Sequence, residues 1–132
     1  MKKTRDRGTG AEPADWVDAV LARFEQVRAQ FFPEWDRRRR WRVRVVRDDA
    51  HVVIASFEPA QRELQVRPTM ASMDSDTVEA LLVHEIAHHV SLWHGAKWQR
   101  RMLEAADAAE SFGNDILAEK LRYDVEMYRG NR

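Results

Sequence analysis

The chain has 132 residues, with 22 Lys and Arg balanced by 22 Asp and Glu, a hydrophobic share of 44% and no cysteine. That length and apolar content supply one buried core and exclude a disordered polyelectrolyte, while the lack of cysteine excludes a disulfide framework or a thiolate zinc ribbon and fits a reducing cytoplasm. The neutral total hides an asymmetry, +5 over residues 1–48 and −5 over residues 49–132; such polarity can steer a polyanion, although its ordinary meaning is a solvated surface.

Residues 1–12 read as a flexible tail, and residues 13–132 as one domain. The opening MKKTRDRGTG is basic but lacks the apolar run of a secretory signal, and no apolar run is long enough to span a membrane. From Ala14 to Phe32, Trp16, Val17, Val20, Leu21, Phe24, Val27 and Phe31 recur at helical spacing. Pro33 stops that helix, having no amide to donate and biasing the residue before it away from helical angles. The basic run Arg37, Arg38, Arg39 and Arg40 follows, a candidate contact for nucleic acid. In Trp41–Val45 apolar residues alternate with arginine, the period of a half-buried strand. Asp48-Asp49 reads as a turn, His51–Phe57 as a second strand, Glu58–Gln61 as another turn and Glu63–Arg67 as a third strand. The three strands are expected to form an antiparallel meander.

Met70–Asp76 crosses to a second helix. Asp76, three residues before Glu79, predicts its N-cap in a capping box, and Val78, Leu81, Leu82, Ile86 and Val90 form its apolar stripe. Helices are expected again from Lys97 to about Ala109 and from Asp115 to about Tyr128, with a break near Ser111–Asn114. The fold class is α+β: an N-terminal helix, a small antiparallel sheet, a motif-bearing helix and C-terminal helices.

Four of the five histidines lie in HEIAHHVSLWHG, residues 84–95. On a helix, residues four apart differ by about 40° around the axis, so His84 and His88 can offer imidazoles to one ion. Glu85 sits one step round, too far to be an equal ligand but placed to reach a water on that ion. Zinc brings the pKa of such a water towards ~7, and a carboxylate can take its proton as it attacks a carbonyl. His94 is the best candidate for a third ligand, and it sets a geometric condition. Ten residues beyond His84 a continuous helix would have turned about 280° net, facing His94 away. The helix must therefore end between about Val90 and Trp93, with Gly95 lending the turn its freedom. An unbroken helix over 84–98 would exclude His94. The isolated His51 carries no metal reading, and His89 should face away from His84 or act behind a ligand.

HEIAHHVSLWHGAKW resembles the motif H-E-x-x-H, spacer, H-G-x-x-F/W of the SprT-like zinc metallopeptidases and related small zincins. The resemblance implies a minimal zincin-like domain, zinc held by His84, His88 and His94, Glu85 as general base, and Trp98 packing behind the third ligand. It also implies a protein or peptide substrate laid along an edge strand above the metal. The chain departs from the pattern in places. The spacer of five residues is shorter than usual in that family; it matches the metzincins, but Ser91 stands where they have glycine, and Met102 falls inside a helix rather than a methionine turn. No cysteine-rich module follows to tether DNA.

Three points stay open at the level of sequence. Glu104, Asp107 and Glu110 share a helix face and could supply a third ligand or orient a histidine, although a solvated acidic stripe is their ordinary reading. Tyr123 and Tyr128 are candidates for the electrophile that stabilises a tetrahedral intermediate. As to function, the alternatives to a peptidase are a metal-dependent nucleic-acid hydrolase and a non-catalytic zinc-stabilised binding module. Small rRNA-maturation endonucleases share the three-histidine spacing but have glycine in place of Glu85, which argues against the former.

Overall fold

The first helix, α1 (Ala14–Phe31), buries Val20, Phe24, Val27 and Phe31, spaced so that they form one stripe facing the core. Asp15 in its first turn and Arg28 in its last complement the helix dipole. The computed structural model of the protein describes residues 14–36, 40–47 and 54–130. The expected tail, the Asp48-Asp49 turn, His51 and Arg37, Arg38 and Arg39 lie outside the described residues. After α1 the chain turns at Asp36, whose φ of 50° is a left-handed value that a short polar side chain tolerates. The Asp36 carboxylate accepts a hydrogen bond from the Trp41 indole N–H.

The strands are β1 (Arg42–Val45), β2 (Ala55–Glu58) and β3 (Glu63–Val66). Their order is β1-β3-β2, with β3 antiparallel to β2 and parallel to β1. The hairpin between β2 and β3 is as expected, turning through the short 3-10 helix Pro59–Gln61 and Arg62, which takes φ 49°. The meander is not formed, because β3 sits between β1 and β2. Alternation assigns each strand's faces but not its neighbours, and here the central place goes to the strand whose four residues are all buried. Leu64 and Val66 face the core, while Glu63 and Gln65 point to the other side of the sheet. Glu63 lies opposite Arg42 in the register, and its carboxylate meets the Arg42 Nε at 3.3 Å and the Arg44 Nε at 3.1 Å, tying β1 to β3.

Helix α2 (Ser75–Ala87) is capped by Asp74, whose side chain accepts from the Thr77 amide at 2.8 Å. Asp76, expected to be the cap, is instead in the first helical turn, where its charge still favours the positive end of the dipole. Leu82, Val83, Ile86 and Ala87 are buried. Helix α3 (Ala96–Ser111) ends in a Schellman motif: the Asn114 amide donates to the Ala109 carbonyl and the Gly113 amide to Glu110. That geometry requires a left-handed residue, and Gly113 supplies it at φ 85°. Asn114 then caps α4 (Asp115–Met127), accepting from the Leu117 amide at 3.2 Å. The result is a small α+β domain with four helices and a three-stranded sheet among the described residues. Its core joins Phe24 and Phe32, Leu64 and Val66 of the sheet, Leu82 and Ile86 of α2, Trp98 and Met102 of α3, and Leu117 and Leu121 of α4. No helix among the described residues is long and apolar enough to cross a membrane.

Candidate metal centre

Helix α2 runs through the core and stops at Ala87, directly before its second motif histidine. It ends one turn earlier than its apolar stripe implied. From His88 onward the amides of His88, His89, Val90 and Ser91 donate to carbonyls three residues back, a tightened course that leaves the helix axis. Val90 accordingly lies outside the helix. Residues 91–95 carry the chain across to α3, and Gly95 caps that helix at φ −87°. This is ordinary extended backbone, so the crossing does not draw on glycine's special freedom; Gly95 is buried there.

The crossing returns His94 to His84 and His88. The Nε2 atom of His94 lies 3.2 Å from Nε2 of His88 and 3.1 Å from Nε2 of His84, and each of the three residues offers a ligand atom within 4.8 Å of the others. Their outward nitrogens explain why these separations suit a cation. His84 Nδ1 lies 2.8 Å from the Asp124 carboxylate and His88 Nδ1 lies 2.9 Å from the Ser91 carbonyl, both acceptors. With Nδ1–H donating outward, the Nε2 of each ring presents a lone pair inward. Lone pairs meeting in this way need a proton or a metal cation between them, and a single N–H on His94 Nε2 can serve only one of its two neighbours well. A tetrahedral zinc with Zn–N of about 2.0–2.1 Å would hold nitrogens roughly 3.3 Å apart, so the donor set fits such an ion in both type and spacing.

Asp124, from α4, was not foreseen as part of this site. It supplies the carboxylate–histidine pairing that fixes a ring's tautomer and orientation. A signal for it existed: Leu117, Leu121, Asp124 and Tyr128 share one face of α4, so the aspartate interrupts an otherwise apolar and aromatic stripe. Gln99 was likewise missed, and nothing in its spacing marked it. Its side-chain amide donates to the His94 carbonyl at 2.8 Å and to the Tyr128 carbonyl at 2.9 Å, joining the third histidine's segment to the end of α4.

Two aromatic rings wall the cluster. Trp98, fully buried, donates its indole N–H to the His84 carbonyl at 3.2 Å and packs on all three imidazoles. Tyr128 stacks on His94 with ring centroids 3.9 Å apart. Tyr123, the other tyrosine considered, is 68% exposed. The acidic stripe lies elsewhere as well: Glu104 pairs with Arg101, and Asp107 and Glu110 both bind Arg122. His89 does face away from His84, stacking on Trp35.

Glu85 is mostly buried, and a carboxylate oxygen stands 4.0 Å from His84 Nε2, the nitrogen that also lies 3.1 Å from His94 Nε2. Burial raises its pKa to about 7, against the pull of His84 and with the help of Asp124's charge. A bound cation would act in the opposite sense and favour the carboxylate. For His84, burial acts to lower the pKa, but the Asp124 hydrogen bond and the charges of Glu85 and Asp124 leave it raised. Burial lowers His88, and it lowers His94 to about 4 with the neighbouring His84 and His88 adding to the effect. Both shifts favour the neutral ring, the form that binds a metal.

Comparison of the chain with models of known protein families, with characterised proteins and with solved structures gives no match.

Proposed function

We propose that this protein is a zinc-dependent peptidase of the SprT-like, small-zincin kind, with His84, His88 and His94 as ligands and Glu85 as general base. The observation that carries this reading is the Glu85 carboxylate oxygen 4.0 Å from the metal-facing nitrogen of His84, because a purely structural zinc site has no use for a buried base there. When bound, zinc supplies a Lewis acid that acidifies water and polarises a carbonyl. Glu85 accepts the proton of the attacking water and returns it to the departing amine nitrogen, which completes cleavage of the amide. Asp124 holds the His84 ring in the tautomer that leaves Nε2 free, and the Ser91 carbonyl does the same for His88. Trp98 and Tyr128 keep water from the back of the cluster.

The test pairs metal content with hydrolysis in wild type, His94→Ala and Glu85→Gln, each purified without chelator. Wild type should carry about one zinc per chain and cleave a peptide library, and His94→Ala should lose most of its zinc. Glu85→Gln should keep zinc but lose at least about 100-fold in rate, since an amide cannot accept the water's proton. Undiminished hydrolysis by zinc-loaded Glu85→Gln would sink the base assignment. Full zinc occupancy with no hydrolysis of any peptide would favour the structural role.

A further inference from the structure

The loop between the second and third histidines carries two large side chains that the fold does not use. Leu92 and Trp93 are 73% and 74% exposed. Other atoms hold the loop's course: the Ser91 carbonyl against His88 Nδ1, the Ser91 hydroxyl accepting from the Trp93 amide at 3.2 Å, and the His94 carbonyl accepting from Gln99. A polar pair would make the same crossing and would not forgo the gain of burying apolar surface. Trp93 directly precedes His94, whose ring is pinned between Trp98 and Tyr128. The exposed apolar pair is therefore next in the chain to the third histidine of the cluster.

We propose that Leu92 and Trp93 form a subsite for a large apolar side chain of the peptide cleaved at this centre, an inference that rests on the peptidase reading above. Area selects this occupant over a second copy of the chain. Two side chains of this size expose roughly 300 Å² together, far below the about 800 Å² per partner of a stable protein–protein interface. It is close to what one or two substrate side chains cover. The loop is short and held at both ends, so little conformational freedom is lost when a ligand side chain settles on it.

The experiment measures the affinity of short fluorescent peptides by anisotropy, using the zinc-loaded full chain with Glu85→Gln to prevent turnover. The two peptides are identical except for Leu-Phe or Ser-Ser at the centre. The Leu-Phe peptide should bind about tenfold more tightly. In the additional presence of Leu92→Ser and Trp93→Ala, with zinc content unchanged, that preference should disappear. Equal affinities, or a preference retained by the substituted loop, overturn the subsite. A preference for Leu-Phe that depends on the loop, in a zinc-loaded protein whose wild type cleaves neither these peptides nor any member of the peptide library, supports the subsite and removes the peptidase reading, so the two fail separately. Sedimentation of wild type at rising concentration covers the remaining occupant. A dimer that the loop substitutions dissolve overturns the proposal in favour of self-association.

Discussion

At the scale of single residues, the centre depends on pairs in which one side chain fixes another. His84 is the clearest case, with Asp124 at 2.8 Å on one nitrogen and, on the other, the histidine cluster that could hold a metal. Losing such a carboxylate typically lowers metal affinity 10–100-fold. Asp124→Ala should therefore weaken zinc retention by about that factor in competition with a fluorescent chelator, while helix content stays at the wild-type level. Unchanged affinity would mean that the ring is held by Trp98 and Tyr128 alone. Glu63 presents a second case, remote from the three histidines. Its carboxyl is held below the ordinary glutamate value of 4.5, first by the Gln65 hydrogen bond, against the opposing effect of burial, and then by Arg44 and Arg42. A folded-state value below the unfolded one adds stability that is fully present above about pH 4.5 and is lost as pH falls through the folded value. Glu63→Gln should cost about 1–2 kcal/mol near neutrality, a figure kept small because both arginine heads stand largely in water. In urea unfolding the gap between variant and wild type should narrow below pH 4.5. A gap that widens in acid would contradict the assignment.

At the scale of elements, the decisive feature is the early end of α2. A helix continuing past Ala87 would carry His94 to the wrong face; ending there, followed by eight residues of turn and bend before α3, brings it back. The first turn of α3 secures the result, because Trp98 is fully buried and reaches the His84 carbonyl through its indole N–H. Replacing a buried tryptophan by alanine costs about 3–5 kcal/mol. Trp98→Ala should show that loss in denaturant unfolding and, at temperatures where it remains folded, weaker zinc retention. A variant destabilised by that amount but with wild-type zinc affinity would show that Trp98 supports the core and not the ligands. Cap chemistry at this scale was only partly legible. Asp74, Ser75 and Asp76 stand together where α2 begins, and propensity alone cannot tell which of them adopts the extended backbone of a cap; Asp74 does, and Asp76 lies in the first turn.

At the scale of the whole molecule, the centre is assembled from α2, the loop after it and α4, with α3 closing the back. The chain's own residues from His84 to Trp98 contain the three histidines, the Glu85 carboxylate and one aromatic wall, so most of the candidate site was legible in one stretch of sequence. Helical spacing makes His84 and His88 neighbours, and the same rule makes His94 a ligand only if the helix ends, a condition the structure meets. The remainder was not legible because it depends on which segments pack together. Asp124 lies 40 residues from His84, and no local rule pairs them until α4 docks against α2. The sheet followed the same division. Alternation along each strand gave Leu64 and Val66 to the core, a property of local geometry. The place of β3 between its neighbours came instead from long-range pairing and from the buried Glu63 held by Arg42 and Arg44. Local repeat along the chain sets the four helices of the described residues, the faces of the strands, and a histidine pair with an adjacent carboxylate. Tertiary structure decided what is set by docking distant segments: strand order, the reach of His94, and the Asp124, Gln99 and Tyr128 side of the centre.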